Sequence, residues 1–165
     1  MIRATLTALS ATLLLACTAQ PGEGTGTSNA PQQAATASVH PESGLPLAPL
    51  KITQGGKTHN FTVELARSEE EQRQGLMFRR ELGPNEGMLF PYDNAEIRGF
   101  WMKNTVIPLD IIFIGPDKRI INTVANAEPY SLQTRVSLAP AMAVLELPGG
   151  RAAELGLEPG ALVAW

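Results

Sequence analysis

The sequence predicts a mainly β domain, a compact sandwich or barrel-like fold of seven to eight short strands with one or two short helices. Three observations carry that expectation. Apolar and polar residues alternate at a period of two through several runs, Pro, Gly, Asn and Asp separate those runs at strand-length intervals, and only one stretch carries a complete helix-start signature.

Residues 1–17 read as an export signal and stand outside the fold. Arg3 gives a positive start, Ala4 to Ala16 is an apolar run too short to span a bilayer, and the run ends in LLLAC at Cys17. Leu14-Leu15-Ala16-Cys17 resembles the lipobox of bacterial lipoproteins, in which the cysteine becomes the lipidated first residue of the mature chain. Cleavage after Ala19 is the competing reading, with Cys17 and Ala19 as the small residues. Cys17 is the sole cysteine and sits where lipidation needs it, which favours the anchor. Thr18 is not the Asp associated with inner-membrane retention in many Gram-negative bacteria, so the resemblance implies a periplasmic protein held at the outer membrane through its lipid alone.

Residues 18–46 are rich in Gly, Pro, Ser, Thr, Ala and Gln, with no aromatic and hardly any large apolar side chain. Such a segment buries too little surface to offset the entropy of ordering, so it is expected to be a flexible tether in which His40 is merely solvated. The single globular domain is expected from 47 to 165.

Within it, Leu50 to Thr53 and Thr58 to Ala66 flank Gln54-Gly55-Gly56-Lys57, and Phe61, Val63 and Leu65 alternate with Thr62 and Glu64, which predicts a hairpin with one buried face. Ser68-Glu69-Glu70-Glu71 matches a capping box; Glu69 and Arg73 are spaced to pair across a turn, and the helix should end around Gly75 to Met77. Strands follow at Gly87 to Phe90, Ile97 to Lys103, Leu109 to Ile114, Arg119 to Ala127 and Ala141 to Leu147. Ile111-Ile112-Phe113-Ile114 does not alternate, the mark of a strand covered on both faces. Gly115-Pro116-Asp117-Lys118 is a turn, Gly150 to Leu155 a short helical turn, and Glu158-Pro159-Gly160 leads into a last strand, Ala161 to Trp165.

Composition narrows the function classes. At 165 residues, 44% hydrophobic and with a formal net charge of -3, the chain suits one soluble domain with extras and lacks the basic footprint that nucleic acid attracts. The domain has no Cys and a single His, His59, so the parts of a zinc site or a His-based triad are missing, and neither metal nor cofactor is expected. Met77, Met88, Met102 and Met142 lie in apolar strands or at a helix end, where core packing explains them better than a soft copper site.

Several blocks in fixed order carry a family resemblance. Gly75-Leu76-Met77-Phe78-Arg79, Gly87-Met88-Leu89-Phe90, Phe100-Trp101-Met102-Lys103-Asn104-Thr105, Pro108-Leu109-Asp110, and Leu145-Glu146-Leu147 followed by Gly149-Gly150 resemble the bacterial and archaeal family catalogued as domain of unknown function 192. The resemblance spans nearly the whole folded part. It implies a small, mainly β fold of sandwich type, often exported, and implies no activity.

The candidate site therefore rests on side-chain chemistry. As strand residues, Trp101 and Lys103 would share one face and Phe100 and Met102 the other, which sets an aromatic platform beside a cation, suited to a sugar or a carboxylated ligand. Trp101 packed under a loop, with Lys103 snorkelling or pairing with Asp110, is the structural reading of the same residues. Asp110 should sit at the mouth of the buried strand and accept from Lys103, Arg79 or backbone donors around Asn104-Thr105. Glu146 is the other strand-embedded carboxylate, and the two acids would serve glycoside cleavage if they faced one another. Arg79 is a further candidate ligand contact, although a cation ending a helix needs no ligand to explain it. Asn104 would serve the pocket or shape a turn.

Three functions follow. The first is a tethered ligand-binding or accessory module of the cell envelope, with Arg79, Trp101, Lys103, Asn104, Asp110 and Glu146 around a small polar molecule or glycan. The second is an envelope hydrolase using Asp110 and Glu146. The third is a structural or protein-interaction domain whose polar groups satisfy one another. The first is favoured.

Overall fold

The computed structural model describes residues 38–165. The expected leader, Cys17 and most of the tether lie outside the described residues.

The chain forms β1 (Leu47–Gln54), β2 (Lys57–Leu65), α1 (Glu69–Gln74), β3 (Glu86–Glu96), β4 (Gly99–Phe100), β5 (Leu109–Ile114), β6 (Ile120–Ala127), β7 (Arg135–Val136), β8 (Ala141–Pro148), α2 (Arg151–Leu155) and β9 (Leu162–Ala164). Gly55 and Gly56, at φ 55° and 78°, turn β1 into β2 with Gln54 opposite Lys57, the geometry a two-residue hairpin loop demands. The capping box is complete. The Ser68 hydroxyl accepts from the Glu71 amide, and the Glu71 carboxylate accepts from the Ser68 amide at 2.8 Å, before Gly75 ends the helix. Glu69 and Arg73 form no ion pair among the described residues.

Seven strands make one sheet in the order β6-β5-β8-β3-β2-β1-β9, all antiparallel except the parallel β2–β3 pair. The sheet curls until its ends touch at one corner, where Arg119 bridges Leu162 and the Val163 amide donates to the Lys118 carbonyl at 2.7 Å. This is the barrel-like tendency that many short alternating strands favour. One face packs Leu50, Ile52, Phe61, Val63, Leu89, Ile112, Leu145 and Leu147 inside the curl. The other packs Met88, Phe90, Ile111, Phe113 and Val144 under the segments that follow β2 and β3. With a core on both sides, all six residues of β5 are buried, as the unbroken apolar run predicts.

The region expected to be one strand from Ile97 to Lys103 differs from that expectation. Only Gly99–Phe100 is extended, paired with β7 in a separate two-stranded ribbon. Beyond it the Thr105 amide donates to the Met102 carbonyl at 3.1 Å and Asn104 takes a φ of 56°, so Met102 to Thr105 form a turn. β7 is two residues long, too short to leave a periodic signal in the sequence.

Residues 38–46, assigned to the tether from composition, are folded back onto the domain. Val39 bridges Pro46, and His40, read as solvated, lies 3.4 Å from the Arg79 guanidinium and 3.8 Å from the Glu64 carboxylate. A buried ion network on the sheet supplies partners that composition alone does not reveal.

Candidate functional site

A cleft of about 340 Å³, open to solvent, lies on the outer face of the sheet between the end of α1, strands β3 and β8, and the β4 segment. Its floor is Glu146 of β8, only 5% exposed, and its walls include Gln72, Phe90, Tyr92, Phe100 and Thr105. Trp101 and Lys103 stand at its rim, both exposed, with the lysine ammonium 5.2 Å from the indole centroid. The rim is held from beneath. Phe100 meets Phe90 edge-to-face at 5.0 Å and Phe113 at 6.2 Å, while Met102 is fully buried, so the neighbouring Trp101 and Lys103 are turned outward. The alternation read from the sequence thus survives although the backbone is a turn.

Glu146 has no hydrogen-bond or ion-pair partner among the described residues. Burial alone pushes its carboxyl up to about 8, so it is largely protonated at neutral pH. Tyr92, on the same wall, is also raised, mainly by burial; Arg98, stacked 3.7 Å from the ring centroid, opposes the shift and Glu146 adds to it. A neutral acid beside a phenol offers hydrogen bonds to a ligand without bringing a charge.

The other sequence candidates lie elsewhere or play other parts. Arg79 is 6% exposed and does not line the cleft. It grips Glu64 through two nitrogens at 2.8 and 3.1 Å and reaches Glu42 at 3.1 Å, while Ser43 also bonds Glu64. The helix ends at Gly75, so Arg79 complements a buried carboxylate and not a helix terminus. Asp110 is likewise removed. Its oxygens accept from the amides of Asn126 at 2.7 Å, Gly150 at 2.9 Å and Ala152 at 2.6 Å, a cap that α2 lacks from its own N-cap residue. The two glycines before α2 serve this junction. A Cβ at Gly149 would lie 2.5 Å from the Asn126 side-chain oxygen, and Gly150 takes a φ of 86°.

Asp110 is abreast of Leu147, whereas Glu146 is abreast of Ile111, so the two acids face opposite sides of the sheet. The acid–base pair of the hydrolase reading cannot assemble, because side chains one residue out of phase on paired strands are separated by the sheet itself. Asn104 borders the cleft indirectly: its carbonyl accepts from the Phe78 amide at 2.8 Å and its side chain contacts the Met77 sulfur at 3.8 Å, which fixes the rim. Of the six candidates, the cleft gathers Trp101, Lys103 and Glu146.

The sequence reading missed Tyr92 and the aromatic wall, because the strand signal breaks at Pro91 although β3 continues to Glu96. It also passed over Glu64, a polar residue in an alternating strand that looks solvent-facing until Arg79 is placed above it.

Known proteins resemble this chain in sequence and shape. The family model DUF192, described as an uncharacterized ACR, matches residues 50–165. A crystal structure of a protein of unknown function from Novosphingobium aromaticivorans is 51% identical, covering 80% of this chain and 94% of its own, with a TM-score of 0.77. One from Sinorhizobium meliloti 1021, described as a candidate transcription regulator, is 38% identical over 73% of this chain and 94% of its own, with a TM-score of 0.71. Comparison with curated proteins finds no match.

Proposed function

The chain belongs to the DUF192 family, and from that premise we propose that it is a tethered module of the cell envelope that binds a small polar ligand, glycan or carboxylate in type, in the cleft above Glu146. The observation that carries this reading is an acid 95% removed from solvent at the floor of an open cleft, with no partner of its own. Burying a polar group without a partner costs about 1 to 3 kcal/mol, and a purely structural core eliminates that cost by substitution. Retention of such a group is the signature of a site that trades stability for binding. Trp101 supplies a flat apolar platform at the mouth, and Lys103 a charge for an acidic group.

A structural role accounts for the buried groups Arg79, Glu64 and Asp110 but not for Glu146. Arg79, Glu64 and Asp110 satisfy one another or the backbone, as an internal network must. The regulator description of the Sinorhizobium protein finds no support in this chain's charge, since a net charge of -3 gives phosphate backbones little electrostatic attraction.

The binding reading is tested by titrating the full chain calorimetrically with glucose and with glucuronate, wild type beside Trp101→Ala. Saturable heat that is lost in the variant supports it; no saturable heat with either probe, or identical binding by Trp101→Ala, overturns it. The periplasmic, outer-membrane location rests on Cys17. Cys17→Ser is expected to leave the protein unprocessed or soluble, and a variant that still partitions with membranes would remove the anchor.

A further inference from the structure

We propose that the cleft takes its ligand as an anion together with a proton, with Glu146 donating a hydrogen bond as a neutral acid while Lys103 and Arg73 meet the ligand's charge. This rests on the binding reading above and names the ligand's class: a ring-bearing carboxylate such as a hexuronate.

The charges around the cleft carry the argument. Glu146 is the only acidic side chain in its lining, and the charged side chains there are otherwise Arg73 on α1 and Lys103 at the rim. The groups facing Glu146 from the packed elements can be named in turn. β3 presents the Tyr92 phenol and β5 presents apolar Ile111, while α1 contributes uncharged Gln72 and the cation of Arg73; the segment after β4 contributes Thr105 and Lys103. Arg98, the remaining nearby cation, lies over Tyr92 and donates to the Asn94 carbonyl at 2.7 Å, and it does not line the cleft.

No cation therefore reaches the floor, and the acid there is held neutral by burial. With Glu146 uncharged the cleft carries two positive charges, which selects an anion. An anionic oxygen that enters can accept a hydrogen bond from the protonated Glu146 carboxyl, which keeps its proton; an ionised Glu146 would repel it. Binding and protonation are then linked, so affinity is level while Glu146 is protonated and falls about tenfold per pH unit once it ionises.

The test is calorimetric titration of the full chain with glucuronate, glucose and acetate between pH 6 and pH 9.5. Glucuronate is expected to bind more tightly than glucose at pH 6 to 7 and to weaken at the alkaline end with the slope given above. Glu146→Gln, which keeps a donor but cannot ionise, is expected to bind glucuronate with that slope abolished, and Lys103→Met to weaken glucuronate by a larger factor than glucose. Affinity for glucuronate that is flat across the range, an unchanged slope in Glu146→Gln, or glucose bound as tightly as glucuronate would each overturn the proton-coupled anion and leave the binding reading standing. No heat with any of the three probes would overturn both.

Discussion

Glu64 and Glu146 lie in one row across the outer face of the sheet, each abreast of Met88, which stands between them. Two strand spacings, roughly 10 Å, separate their backbones. Both are at least 95% buried, yet only Glu64 meets a guanidinium. The same burial thus has two outcomes: Glu64 is neutralised by a fixed partner and ties residues 38–46 to the sheet, whereas Glu146 is neutralised by a proton and faces an open cleft.

That difference makes stability depend on pH through Glu146. In the unfolded chain its carboxyl titrates near the ordinary value of 4.5, and in the folded chain at about 8. Between those values the native state holds the extra proton, so stability falls as pH rises, by about 1.4 kcal/mol per unit from this group, and levels off above the folded value. Glu146→Gln is expected to unfold at a higher denaturant concentration than wild type at pH 8 and to show a flatter dependence between pH 5 and pH 8. Denaturation midpoints across that range check both expectations; a wild-type curve parallel to the variant's would remove the raised pKa.

Arg79→Met is expected to cost about 3 to 5 kcal/mol, because it leaves Glu64 buried without its counter-charge. The loss should be partly recovered in the double variant Arg79→Met, Glu64→Gln, where no ionised group remains to be buried. Urea unfolding of wild type, Arg79→Met, Glu64→Gln and the double variant measures the coupling. A fall of less than about 1 kcal/mol in Arg79→Met would mean that the network is open to water and that Arg79 is free for a ligand.

The longer strands of the main sheet, the hairpin, the capped helix and the doubly covered β5 were legible because each is written in local periodicity or turn chemistry, whereas the expected strand from Ile97 to Lys103 shrank to Gly99–Phe100 and β7 left no signal. The pairing of Trp101 with Lys103 was legible too, since buried Met102 between them fixes which way they turn. What was not legible depends on partners distant in sequence. Asp110 reads as a pocket acid until the amides of Gly150 and Ala152, some 40 residues on, are brought against it. Arg79 reads as a helix-end cation until Glu64 lies beneath it. The opposition of Asp110 and Glu146 is a matter of register, and a shift of one residue in pairing would have put them on the same face.

Asp110→Asn is expected to destabilise the domain without altering the cleft. The carboxylate accepts three backbone amides, and an amide side chain must turn its own donor towards at least one of them. Charge-assisted bonds of this kind contribute about 1.5 to 3 kcal/mol each, so the unfolding midpoint should fall markedly. Glucuronate affinity, measured well below that midpoint, should match wild type. Loss of affinity in a folded variant would return Asp110 to the site.

Lys103→Met is expected to leave the thermal midpoint within about 2 °C of wild type. Lys103 is exposed and makes no salt bridge among the described residues; its one specific contact is the Trp101 ring at 5.2 Å. An exposed cation–π contact at that range contributes roughly 0.5 kcal/mol, and for a domain of this size 1 kcal/mol moves the midpoint by a few degrees. Placed at the mouth of a cleft that already holds an unpartnered acid, the lysine contributes to what the cleft admits and little to what holds the sheet together. A fall of 10 °C or more would instead mean that its ammonium completes an internal network, and the rim would then belong to the fold and not to a ligand.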